Sequence, residues 1–246
     1  MILPFAELET AAAAVERLFL EGFDPSACEI AERAALEAVA GVEPLPRELT
    51  GAEAMLLVEL DGDDPERLLE TAAAIDRFAG GIGSGDAIVA DDAAGQRRLW
   101  QIRRRIGEAV KHLSEYKEAD TVVPRSALAA LVEAARGAAA RQGLTAICYG
   151  HAGDGNLRTS TSSAAPSTPR SGSSAATPPR TSCSAPHVAL GGRITGEHGV
   201  GWTQRRFLPL ALSPPELAAQ RAIKAALDPR GILNPGKIFP SASDLD

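Results

Sequence analysis

Aromatic residues are scarce in this chain: two Trp, two Tyr and six Phe among 246 residues, 4% in all. With few large side chains the core has to be filled by aliphatic residues and by alanine, and abundant alanine favours helices. Basic charge is also short. The formal net charge of −7 argues against a nucleic-acid binder, a function that needs a basic face. No apolar run approaches the ~20 residues of a membrane span. The N-terminus, MILPFAELET, has no basic region ahead of its apolar residues and meets acids at once, so it does not read as a signal peptide. Cys28, Cys148 and Cys183 lie far apart and form no CxxC pair, which suits a reducing compartment, with packing as the role of Cys28 and Cys148. These absences lead to the expectation of a cytoplasmic protein, at most peripheral to a membrane. The apolar content of 45% is ordinary, so the chain can bury a core.

Periodicity predicts a helix over 7–21, where Leu8, Ala11, Ala12, Val15, Leu18 and Phe19 share a face and Gly22 stops it. Further helices are expected over 30–40, 65–78, 91–113, 126–141 and 214–227, the last opened by prolines. Strands are expected at 54–60, 87–90, 120–123 and 145–149. This mixture predicts an α+β fold, a small antiparallel sheet packed with helices. From Thr159 to Pro186 there is no Asp, Glu, Leu, Ile, Val or Phe, and Ser, Thr, Pro, Ala and Arg make up nearly all of the stretch. Such a segment cannot bury a face, and disorder is expected there.

Two stretches that flank this segment carry chemistry. Tyr149-Gly150-His151-Ala152-Gly153-Asp154-Gly155-Asn156 places a histidine among glycines. Gly191-Gly192-Arg193-Ile194-Thr195-Gly196-Glu197-His198-Gly199 places an acid and an imidazole side by side in the same setting. Glycine permits tight bends and close approach of another group. An acid and a base held in such a bend suit a site better than a core, and the two stretches read as two walls of one pocket. Taken singly, either is equally a glycine turn carrying a polar residue.

With Asp228-Pro229-Arg230-Gly231-Ile232-Leu233-Asn234-Pro235-Gly236-Lys237, these stretches resemble the signatures of the C-terminal domain of FAD-linked oxidases. That group includes the glycolate oxidase FAD subunit, D-lactate dehydrogenases and D-2-hydroxyglutarate dehydrogenase. Trp100 to Arg103 and Lys117 to Pro124 also fit its pattern. The resemblance runs from about residue 4 to 240, with a hole at 158–187. It implies a flavoenzyme part that oxidises a small 2-hydroxy acid, working with an FAD-binding domain or chain that these residues are expected to lack. It implies His198 as the base, Arg103 and Lys117 near the substrate, Asn156 and Asn234 near the flavin, and His151 and Glu197 as ligands of a divalent metal such as Zn²⁺ or Mn²⁺. Imidazole titrates near neutrality and can take the hydroxyl proton, and a guanidinium clamps a carboxylate with two parallel hydrogen bonds. The electron acceptor and the particular 2-hydroxy acid are left open.

The family pattern has histidine, a further metal ligand, at the place of Arg158. Arginine is a permanent cation and cannot ligate a metal, so metal binding is expected to be weak or lost and the isolated chain inactive. A shift of reading frame accounts for the break. Codons CGC ACG TCA ACA TCC TCC GCC GCG encode the chain from Arg158 onward, and read from their third base they give His-Val-Asn-Ile-Leu-Arg-Arg. A true low-complexity insertion is the alternative. For the whole chain, a non-catalytic module that pairs with a separate FAD-binding chain is the rival to an enzyme. A metal-dependent hydrolase built on His151, Glu197 and His198 is disfavoured, because no HExxH helix is present.

Overall fold

A computed structural model describes residues 1–113, 117–163, 187–241 and 244, without the side chains of 113, 117–118 and 161–163. Six strands form one sheet: β1 (Ile2–Phe5), β2 (Ala27–Glu32), β3 (Ala54–Glu59), β4 (Lys117–Val122), β5 (Leu144–His151) and β6 (Asn156–Ser163). Their order across the sheet is β1-β3-β2-β5-β6-β4, and every neighbouring pair is antiparallel. The expected α+β class and antiparallel sheet are what the structure has.

Side chains alternate across a strand, and both faces of this sheet are used. Cys28, Ile30, Leu56, Val58, Cys148 and Leu157 point to one face, where α1 (Leu8–Leu20) and α5 (Leu128–Ala140) cover them. Helix α1 buries Leu8, Ala11, Ala12, Val15 and Leu18, the spacing of a single helical stripe. Ala31, Met55, Leu57, Ile147 and Tyr149 point to the other face, under α2 (Arg33–Ala40) and α4 (Ala93–Leu113). Helix α3 (Pro65–Gly80) begins at Asp64, whose carboxylate accepts from the Glu66 and Arg67 backbone N–H groups, with Pro65 at the first helical position. Helix α6 (Pro214–Leu227) buries none of its residues. Among the described residues no helix is long and apolar enough to cross a membrane.

Cys28 and Cys148 are buried and unbridged. Burial, with Glu29 nearby, pushes the Cys28 thiol up to about 12, and burial likewise raises Cys148. Both are inert packing groups at neutral pH. Cys183 lies outside the described residues.

Two expectations need correction. The second helix begins at Arg33 rather than 30, because Ala27–Glu32 is a central strand. Its sequence ACEIAE hid it: Glu29 and Glu32 are 4% and 2% exposed, and acids at buried strand positions defeat a hydrophobic pattern. Each is compensated: Glu29 by Arg103 at 2.8 Å, Glu32 by Arg136 at 2.7 Å and by the Cys148 backbone N–H. The stretch 87–90 makes only an isolated bridge, Ile88 to Ile2. Residues 159–163 open the polar stretch that begins at Thr159. They belong to β6, between β5 and β4, with Thr159 and Ser160 buried. Backbone pairing on both sides and β-branched threonines sustain the strand despite its polarity. The remainder of the expected disorder, 164–186, lies outside the described residues.

Leu157, fully buried in β6, tests this placement. Leu157→Ala is expected to lower the unfolding free energy by about 3 kcal/mol in urea titrations; a loss below about 1 kcal/mol would mean that β6 is no part of the core.

Candidate active site

Register brings the site together before any loop is considered. Across β4, β6 and β5 the partners Asp120 and Arg158, Tyr149 and Arg158, and His151 and Asn156 stand opposite one another. These five side chains therefore share the α2/α4 face of the sheet. Ala31 pairs with Tyr149, so Glu29, two residues earlier on β2, joins the same face. Gly150, between Tyr149 and His151, could not carry a side chain, since a Cβ there would lie 2.5 Å from the Asn156 carbonyl oxygen.

The loop after residue 190 closes over this face. Arg193 N–H donates to the Val122 carbonyl at 2.9 Å, which ties the loop to β4. Gly196 sits on the Asn156 side chain so closely that a Cβ would come within 2.5 Å of its amide nitrogen. Asp120 holds the turn itself. Its Oδ2 accepts from the backbone N–H groups of Gly196 (3.0 Å), Glu197 (2.9 Å) and His198 (2.8 Å), and from the Thr195 hydroxyl (3.2 Å). Burial opposes ionisation of Asp120, but the three N–H bonds and the adjacent His198 outweigh it and hold the carboxyl below its usual range.

The charged groups run as a chain. Arg103 Nε donates to Glu29 Oε2 at 2.8 Å, both side chains buried. Glu29 Oε1 lies 2.6 Å from His151 Nδ1, which favours a proton on Nδ1 and leaves Nε2 as the free lone pair. That Nε2 is 3.7 Å from Glu197 Oε1. The same oxygen accepts a hydrogen bond from Arg158 Nη2 and lies 3.7 Å from His198 Nε2. The bond from Arg158 is the leading reason that the Glu197 carboxyl is held below its usual range. His198 Nδ1 is 3.9 Å from Asp120 Oδ2.

The structure thus gathers His151, Glu197 and His198, with Arg103 joined to them through Glu29. Arg103 also lies over the Tyr149 ring, 5.7 Å from its centre, and is 9% exposed, so it braces the site from beneath. Asn156 is buried under Gly196. Asn234 is exposed in the 228–238 tail at φ 47°, its side-chain oxygen accepting from Lys237 Nζ at 3.0 Å. The tail reaches the histidine loop, because Ile238 N–H donates to the Gly201 carbonyl at 2.7 Å. Lys117 opens β4, and its side chain lies outside the described residues.

The residues present do not fit a divalent metal. Arg158 occupies the third place and takes the Glu197 oxygen that a metal would need. Among the described residues no group of three or more His, Cys, Asp or Glu is placed to hold an ion.

Sequence reasoning missed Glu29 and Asp120. Each is one acid of two in its strand, and only the folded partners mark it out. A hollow of about 850 Å³ lies elsewhere, lined by Leu57, Leu69, Val89, Trp100 and Arg104 among others, and none of the histidines lines it.

The family model for the C-terminal domain of FAD-linked oxidases matches residues 1–238. The chain belongs to this family. It is 32% identical over 247 residues to a D-lactate dehydrogenase of Anaerostipes hadrus, covering 97% of this chain and 51% of that protein. It is 34% identical over 196 residues to the glycolate oxidase subunit GlcD of Bacillus subtilis, covering 77% and 40% respectively. The chain spans about half the length of the curated relatives it matches. Among solved structures, p-cresol methylhydroxylase with substrate bound shares the fold at a TM-score of 0.65 and 14% identity, covering 98% of this chain and 52% of that one.

Two measurements check the site's energetics. Arg103→Ala leaves Glu29 buried without its guanidinium, and an unfolding free energy lower by about 3 kcal/mol is expected; an unchanged value would mean that the pair is dispensable. Asp120 contributes stability that is present above its ordinary pKa of 3.8 and is lost as pH falls through its depressed folded value. The stability gap between wild type and Asp120→Asn is expected to be full at neutral pH and to shrink in acid below pH 3.8. A gap that widens on acidification would contradict it.

Proposed function

We propose that this chain is the substrate-side part of an FAD-dependent oxidoreductase that removes two electrons from a small 2-hydroxy acid of the D-lactate or glycolate type. The observation that carries this reading is the gathering of His198, His151, Glu197 and Arg158 from two distant glycine-rich stretches onto one face of the sheet. Family membership and relatives named D-lactate dehydrogenase and glycolate oxidase support the substrate class.

His198 serves as the base. Its Nε2 faces the cluster, and its side chain is 47% exposed, so a substrate hydroxyl can reach it and give up its proton. In the chain as it stands, a substrate carboxylate competes with Glu197 for the partly exposed Arg158 guanidinium; a histidine at 158 would remove this contact and leave the base, His198, in place. Glu29 and Arg103 fix His151 from below. FAD, when bound, supplies a hydride acceptor for the carbon that bears the hydroxyl. The tail beside the His198 loop suits the flavin-bearing part. Asn234 and Ile238 there hold positive φ of 47° and 70°, and Trp202, Ile232, Leu233 and Ile238 are exposed. Backbone held in rarely occupied conformations next to uncovered apolar groups is what a contact surface requires.

We also infer that codons 158–186 are read out of frame. Thr159 stands at a buried position of a central strand, 5% exposed, opposite Cys148. The alternative frame puts histidine at 158 and valine at 159, and a valine suits the apolar layer beside Cys148. Resequencing codons 150–195 is expected to reveal a one- or two-base slip; a gene that reads as given removes the inference.

The enzymatic reading is tested by mixing the chain with a flavin-loaded FAD-binding partner and following loss of flavin absorbance under anaerobic conditions. D-Lactate, glycolate and D-2-hydroxyglutarate are offered in turn. One of them is expected to reduce the flavin, and His198→Ala is expected to slow the reduction by about 10²- to 10⁴-fold. A partner that binds but is reduced by none of the three would favour a non-catalytic pairing module instead.

A further inference from the structure

The geometry points to Asp120 as the positioning residue of this site: its carboxylate is the anion around which the 195–198 turn is folded, and it sets the tautomer of His198. Three consecutive backbone N–H groups that converge on one point form a nest, a concave arrangement with affinity for negative charge. The N–H groups of Gly196, Glu197 and His198 converge in this way on Asp120 Oδ2 at 3.0, 2.9 and 2.8 Å. The Thr195 hydroxyl donates to the same oxygen at 3.2 Å and accepts from Gly199 N–H at 2.9 Å, which closes the turn on its far side. One carboxylate oxygen therefore fixes the backbone on both sides of Glu197 and on the near side of His198.

The other oxygen has capacity in reserve. Asp120 is 2% exposed, and its Oδ1 is buried with no hydrogen-bond partner among the described residues. A buried carboxylate oxygen without a donor is costly, so a donor close by is strongly favoured. His198 Nδ1 lies 3.9 Å from Oδ2, the oxygen that holds the turn, too long for a hydrogen bond in this conformation; a ring movement toward Oδ1 would give that oxygen its donor. Hydrogen bonds at catalytic groups are commonly long before substrate arrives and tighten on binding. A proton held on Nδ1 by Asp120 leaves Nε2, the nitrogen 3.7 Å from Glu197, as the free base. An aspartate that orients an imidazole through its far nitrogen does not itself exchange the proton.

The nest half of this inference stands on hydrogen-bond geometry alone. The tautomer half rests on the reading of His198 as the base. The test needs neither flavin nor substrate. Backbone amide exchange and histidine ¹⁵N shifts are measured on the full chain, at a pH where the imidazoles are neutral. In Asp120→Ala the amides of 196–198 are expected to exchange about tenfold faster or more, since each loses a bond to a charged acceptor. Added sodium formate is expected to restore part of the protection by placing a carboxylate back in the nest, while equal sodium chloride restores less. In the near-isosteric Asp120→Asn the shift pattern of His198 is expected to move toward the form protonated on Nε2. Protection that is unchanged in Asp120→Ala, or that formate does not restore, overturns the nest. A His198 tautomer identical in wild type and Asp120→Asn overturns the orienting role. If instead the nest and tautomer behave as expected but no 2-hydroxy acid reduces the partner's flavin, it is the proposed function that fails.

Discussion

Burying a carboxylate in a sheet is costly unless donors are built around it, and the described side chains of this sheet include three. Glu29, Glu32 and Asp120 are each at most 4% exposed. Glu32 is satisfied by Arg136 from α5 and by the backbone of β5, which pins that helix and strand to β2. Glu29 is satisfied by Arg103 from α4 and by His151 from the end of β5. Asp120 is satisfied by the backbone of the 195–198 turn. Each acid thereby recruits a separate part of the chain to its place, and the candidate site lies where two of these arrangements meet.

The layering of the fold explains why the site is where it is. One face of the sheet is filled by α1 and α5 and carries apolar side chains across its width. The other face is apolar under α2 and α4 and becomes polar toward β5, β6 and β4, where Glu29, His151, Asn156, Arg158 and Asp120 emerge. There the roof is a glycine-rich loop rather than a helix. A loop that must bring backbone N–H groups onto a carboxylate, and pass directly over an asparagine, requires glycine at 196. The same constraint places Glu197 and His198 at its tip, about half exposed and within reach of a small anionic molecule.

Much of this was legible in the sequence. The helical stripes of α1, α4 and α5 fell where periodicity put them, because apolar spacing reports directly on a buried face; α6 was marked instead by the prolines that open it. His151, Glu197 and His198 were recognisable because glycines bracket them, and they do meet. What was hidden was hidden for one reason. Strand β2 carries two of the buried acids, so its alternation reads as polar, and Asp120 looks like any acid ahead of a Val-Val-Pro strand end. A sequence shows charge but not compensation, and compensation turns those residues into supports of the site. Strand β6 was obscured differently: its serines and threonines have no apolar signal, and its place depends on the backbone hydrogen bonds of β5 and β4 on either side.

The central claim is that the His198–Arg158 cluster, and not the hollow beside Trp100, receives a small 2-hydroxy acid. The most direct measurement is a two-dimensional NMR titration of the full chain with D-lactate, run beside propionate, which lacks the hydroxyl. The account predicts that D-lactate perturbs the signals of His151, Arg158, Glu197 and His198 in a saturable way, and that propionate does so more weakly because it offers nothing to the base. Perturbations confined to the residues around Trp100, or equal responses to the two acids, would contradict it.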